Sequence, residues 1–110
     1  MTHARTLRAA AGERLAAVHA AARRFAQEHA CRASLTLMLP AAAGDEWRHA
    51  GDLAAACMLV ATLACEWGAR ALRVNALSIS RADPQAVAPL LRFVAGAGAQ
   101  YLTGQVLPVA

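Results

Sequence analysis

The chain has 110 residues, a formal net charge of +4 and a hydrophobic fraction of 58%. That length supports one small domain over residues 1–110 and excludes a division into several. The apolar fraction overstates the core, because 31 residues are alanine, which favours helix but buries little area.

From Ala9 to Ala30 apolar residues recur at helical spacing: Leu15, Val18, Ala22 and Phe25 form one stripe. This predicts an amphipathic helix with a narrow face of mostly small residues. Ser34 to Leu39 is a short apolar run ended by Pro40, which suits a buried strand. A loop follows, with Asp45 placed to cap the next helix.

That second helix is expected from Glu46 to Ala69. Its middle, Leu53 to Cys65, is apolar nearly all round, so two faces need cover. One stripe is Leu53, Cys57, Val60, Ala64 and Gly68; the other is Ala54, Met58, Ala61 and Cys65. Leu72 to Leu77 reads as a second strand. Asp83-Pro84 is a helix start with a capping carboxylate and a proline at the first helical position. Val87, Leu90, Leu91 and Val94 give that third helix its buried stripe, and Gly96-Ala-Gly98 ends it. Tyr101 to Val109 is expected as the last strand, with Gly104 as a break.

Three helices alternating with about three strands predict an α/β fold with a parallel sheet. The first strand, Ser34 to Leu39, is then expected at an open sheet edge, and bare edges favour association.

Several functions are excluded at this stage. All the basic side chains are arginines, scattered from Arg5 to Arg92, and no aromatics lie among them for base stacking. No nucleic-acid partner is therefore expected. His3, His19, His29 and Cys31 lack metal-ligand spacing, so no metal site is expected. Cys31, Cys57 and Cys65 do not form a disulfide framework. The N-terminal residues carry charge with no apolar segment behind them, unlike a signal peptide. The uncharged stretch Leu53 to Cys65 falls short of the about 20 residues a bilayer span needs. These readings give a cytoplasmic, reduced protein with no membrane contact.

Two phrases carry more information: Glu66-Trp-Gly-Ala-Arg-Ala-Leu-Arg-Val-Asn-Ala and Gln100-Tyr-Leu-Thr-Gly-Gln-Val-Leu-Pro-Val. With Asp83-Pro-Gln-Ala-Val-Ala between them, they resemble the C-terminal half of the short-chain dehydrogenase/reductase family, especially its 3-oxoacyl-carrier-protein reductases. The resemblance is specific from Glu66 to Val109 and weaker from Ala9 to Cys65. It implies a partial Rossmann-like three-layer fold without the first, nucleotide-binding half. It also hints at fatty-acid or polyketide synthesis.

The same resemblance argues against the family's reaction. Those enzymes use a Tyr-x-x-x-Lys pair, a serine and an asparagine. Counting back from Arg73, the tyrosine position is His49, the lysine position Leu53 and the serine position Ala41; the asparagine falls near Arg14. The chain contains no lysine. Leucine cannot lower a tyrosine pKa or hold a nicotinamide ribose, and alanine cannot hydrogen-bond a reacting carbonyl. A histidine alone at position 49 lacks the partners that would make it an acid. No catalytic residue and no bound cofactor are expected in this chain alone, and NAD(P) enters only through a partner reductase.

In the family, the two helices beside the first of these strands meet their mates in a four-helix bundle between subunits. The resemblance therefore implies interface residues Leu15, Val18, Phe25, Leu53, Ala54, Met58, Ala61 and Cys65. It implies a non-catalytic subunit that pairs with itself or with a full-length reductase. The alternatives are the complementing half of a split oxidoreductase, or a degenerate remnant without a selected role.

Overall fold

The computed structural model describes residues 3–8, 15–40, 47–79 and 84–109. Within them the elements run β1 (His3–Arg8), α1 (Leu15–Glu28), β2 (Ala33–Pro40), α2 (Trp47–Trp67), β3 (Leu72–Ile79), α3 (Pro84–Ala95) and β4 (Val106–Val109). Short 3-10 turns follow α2, at Gly68–Arg70, and α3, at Ala97–Ala99. Among the described residues the strands form one sheet in the order β1-β2-β3-β4, and every neighbouring pair is parallel. The architecture is thus a partial Rossmann-like α/β arrangement, as the alternation of elements predicts.

Two expectations need correction. A further strand, β1, precedes the first helix and pairs with β2 from His3↔Ala33 to Arg8↔Met38. Its sequence, HARTLR, is short and mostly polar, so no apolar run marks it; only pairing to β2 makes it a strand. Consequently β2 is an interior strand, and the outer edge belongs to β1 instead of Ser34 to Leu39. The last strand is also shorter than expected. Tyr101 to Gln105 is not strand: Leu102 N donates back to Ala99 O, and the Leu102 carbonyl and the Gln105 amide are taken by the Asn75 side chain instead of the β3 backbone.

Side chains alternate across the sheet and create two cores. On one face, Leu35, Leu37, Val74 and Ala76 meet Val18, Ala22 and Phe25 of α1 and Ala56, Val60, Leu63 and Trp67 of α2. Phe25 and Trp67 anchor this layer with ring centroids 5.6 Å apart. On the other face, Met38 and Leu77 meet Val87 and Val94 of α3 and Val109 of β4. α3 continues through Pro89, whose side chain is exposed. Arg70 joins the first layer's helices: its guanidinium donates to the carbonyls of Ala26, His29 and Ala30, closing the C-terminal end of α1.

Candidate functional site

Of the positions that match the family's catalytic residues, only Leu53 has a described side chain. Ala41 lies outside the described residues. His49 lies in α2, but its side chain is outside them too. Leu53 sits half-buried on α2 against the apolar core. It offers no donor or acceptor, so the residue at the lysine position does not fit a nicotinamide ribose. Arg14 lies outside the described residues. Among the described residues no group of three His, Cys, Asp or Glu side chains could hold a metal ion.

The family-like phrases do meet, and what they build is a structural clamp. Arg73, 8% exposed, points its guanidinium into the end of α3 and the turn beyond it. It donates to the carbonyls of Val94 (3.1 Å), Ala99 (2.6 Å), Gly96 (3.3 Å) and Leu102 (3.4 Å). No carboxylate faces it among the described residues. Burial pushes its pKa down from the guanidinium's ordinary value, and the carbonyls offset that cost as charge-assisted acceptors. The Val94 carbonyl is one that the end of α3 leaves open, whereas those of Gly96 and Ala99 also accept backbone amides, from Ala99 and Leu102.

Asn75, fully buried, completes the clamp. Its Nδ2 donates to Leu102 O at 2.9 Å, and its Oδ1 accepts from the Gln105 backbone at 3.1 Å. The Thr103 hydroxyl accepts from Val74 N at 3.1 Å, while Gly104 N donates to Val74 O at 2.7 Å. Gly104 has φ +75°, and a Cβ there would stand 3.0 Å from the Cβ of Ala64 on α2. The Thr-Gly pair is therefore required by a left-handed backbone and a close approach to a helix.

The residues expected at an interface divide between the helices. On α2, Ala54, Met58, Ala61 and Cys65 are all exposed and lie on one face; Met58 is 73% exposed. Leu53 and Cys57 are half-buried beside them. On α1 the expectation fails. Val18 and Phe25 are packed into the core at 4% and 1% exposure, because the helix has one apolar stripe and the sheet takes it. The side chain of Leu15 lies outside the described residues. The outward side of α1 instead carries His19, Arg23, Arg24, Gln27 and Glu28. Periodicity alone could have signalled this, since the residues between the apolar positions of α1 are polar and those of α2 are not.

By length and composition the window Leu53–Arg70 also meets the requirement for a membrane span, with 22% of it buried. Counting the uncharged run alone understated this. The inner side of α2, through Val60, Leu63 and Trp67, is nevertheless committed to the sheet. It is a core helix whose apolar outer side has no cover among the described residues.

No protein-family model matches the sequence, and no curated protein is similar to it. Solved structures do share its fold. A Serratia marcescens short-chain dehydrogenase/reductase superposes with a TM-score of 0.75 at 19% identity, over 86% of this chain and 49% of that one. A 4-hydroxyisoleucine dehydrogenase complexed with NADH and succinate gives 0.76 at 18% identity, over 94% and 65%. A short chain dehydrogenase family protein from Francisella tularensis gives 0.76 at 13% identity, over 89% and 57%. At these identities the likeness establishes the fold: the chain is built like part of a short-chain dehydrogenase/reductase. It spans about half the length of the Serratia enzyme.

Proposed function

We propose that this chain is a non-catalytic subunit with a short-chain dehydrogenase/reductase fold. It associates through the outer face of α2, with itself or with a full-length NAD(P)-dependent reductase, and stabilises or regulates that partner. Any NAD(P) is then held by the partner. The observation that carries this reading is the uncovered apolar stripe Ala54, Met58, Ala61 and Cys65, on a helix whose lysine position is Leu53. A small protein gains most from covering such a stripe, because its own core is limited. The small side chains let a partner helix come close. The thiols of Cys31 and Cys65 are exposed and unpaired, in keeping with a reducing cytoplasm.

The test is Ala61→Glu. Its side chain is exposed, so the change in folding stability stays within about 0.5 kcal/mol. A buried charge in the centre of the interface should abolish association as read by light scattering. Assembly that survives this substitution removes α2 from the interface.

A second reading has its own observation. The outer edge of β1 has no partner strand among the described residues, and an unpaired edge is a ready template for a further strand. A strand from a partner carrying a nucleotide-binding half would complete it as a split oxidoreductase. NADPH binding that occurs only when both chains are mixed distinguishes this reading from the first.

A further inference from the structure

We propose that the cleft between α1 and α2 binds a small zwitterion of the α-amino-acid class. Its carboxylate is held by Arg23 and the indole N–H of Trp67, and its ammonium by Glu66.

The cleft has a volume of about 390 Å³, and its walls carry His19, Arg23 and Gln27 of α1 and Leu63, Glu66 and Trp67 of α2. That size suits a small molecule, and clefts between packed helices are common places for one. The floor is apolar, since Leu63 and Trp67 are 7% and 5% exposed. His19, Arg23 and Gln27 recur every fourth residue along α1 and so form one row facing α2. The cleft lies on the side of α2 that meets α1. The site therefore does not depend on what covers the outer stripe of Ala54, Met58, Ala61 and Cys65.

Three polar groups of the cleft are unsatisfied. The Arg23 guanidinium and the Glu66 carboxylate line the same space, yet neither has an ion pair or hydrogen bond with the described residues. Trp67 is almost wholly buried, and a buried indole N–H ordinarily finds an acceptor; this one finds none among the described residues. Nor is it sealed off, because the sealed side-chain atoms without a partner among them are the hydroxyls of Ser34 and Thr36. The N–H thus reaches solvent, and the cleft is the space that Trp67 lines.

Opposite charges on the two walls set the class of ligand. A bare anion gains from Arg23 and is opposed by Glu66; a bare cation meets the reverse. A zwitterion satisfies both walls. Its carboxylate accepts charge-assisted hydrogen bonds from the guanidinium and the indole N–H, and its ammonium donates to Glu66. An apolar side chain then rests on Leu63 and Trp67.

L-Leucine is the probe, compared with isocaproate, which lacks the ammonium, and isoamylamine, which lacks the carboxylate. Trp47→Phe leaves Trp67 as the one tryptophan, so heteronuclear NMR reads a single indole N–H resonance. Leucine should move that resonance downfield and saturably, and should bind at least about fivefold more tightly than either analogue. Arg23→Gln and Glu66→Gln lie at exposed sites, and circular dichroism checks their folding. Each should weaken leucine about fivefold, while Arg23→Gln leaves isoamylamine no weaker and Glu66→Gln leaves isocaproate no weaker. Either analogue binding as tightly as leucine overturns the proposal, because one wall is then sufficient. Leucine affinity that both substitutions leave unchanged overturns it as well. The titration is repeated with Ala61→Glu, so that association through the outer stripe cannot mask the cleft. An indole resonance that leucine moves in neither chain overturns the proposal and leaves the reading of the α2 stripe untouched.

Discussion

The two faces of the sheet are built on opposite terms. Under α1 and α2 the contact is dry, with Phe25, Leu35, Leu37, Val60 and Val74 all at or below 1% exposure. Under α3 the same strands carry Ser34, Thr36, Arg73 and Asn75, all buried. In the register of β2 with β3, Ser34 lies beside Arg73 and Thr36 beside Asn75. The dry face draws its stability from area and shape, and the polar face from hydrogen bonds that tie β3 to the chain beyond α3. The comparison also explains what survives of the family resemblance. Its strongest phrases supply Arg73 and Asn75 to the polar face, where both side chains hold backbone, and Trp67, Leu72, Val74 and Ala76 to the dry one.

Substitutions on each face should break this contrast in different ways. The largest effect is expected from Trp67→Ala, which removes the largest side chain of the dry face and costs about 3–5 kcal/mol, read as a lower denaturant midpoint. Arg73→Met comes next, at about 3 kcal/mol, because the buried Val94 carbonyl loses its side-chain donor and that of Ala99 keeps only the Leu102 amide. Hydrogen exchange distinguishes the two: Arg73→Met should release the end of α3 and the turn after it first, whereas Trp67→Ala weakens the α1–α2 layer.

Gly104→Ala tests the seam between the faces. Its positive φ and the 3.0 Å approach to Ala64 predict a loss of about 1–2 kcal/mol; an unchanged midpoint would mean that the turn relaxes freely. The smallest effect has the opposite sign. The hydroxyls of Ser34 and Thr36 are buried with no hydrogen-bond partner among the described residues. Thr36→Val keeps the shape and removes an unsatisfied group, so the protein should gain about 1 kcal/mol with an unchanged denaturant slope. A loss of stability would place a bridging water at that hydroxyl.

Much of the fold was legible in local pattern. Leu53 to Cys65 announced a helix with two apolar sides, and Asp83-Pro84 announced the start of α3. Leu72 to Leu77 announced a strand that the structure extends to Ile79. β1 was not legible, since a six-residue polar strand takes its identity from a neighbour 30 residues away. The outward charge of α1 was open to the same reading as its apolar stripe, but a shared family pattern pointed to both helices as interface. The clamp was half legible. Both of its phrases stood out, yet nothing in either one says that Asn75 closes on Leu102 and Gln105.

The sequence by itself determined the alternation of helix and strand, the absence of a lysine, and the apolar outer side of α2. Each of these is a property of neighbours along the chain, fixed by periodicity and composition. Only the tertiary structure decided that β1 closes over β2, that Val18 and Phe25 serve the core, and that Arg73 and Asn75 spend their hydrogen bonds on backbone. Those outcomes depend on which distant carbonyl or strand a group finds once the chain is compact, because a buried polar group must take the partner that packing brings to it.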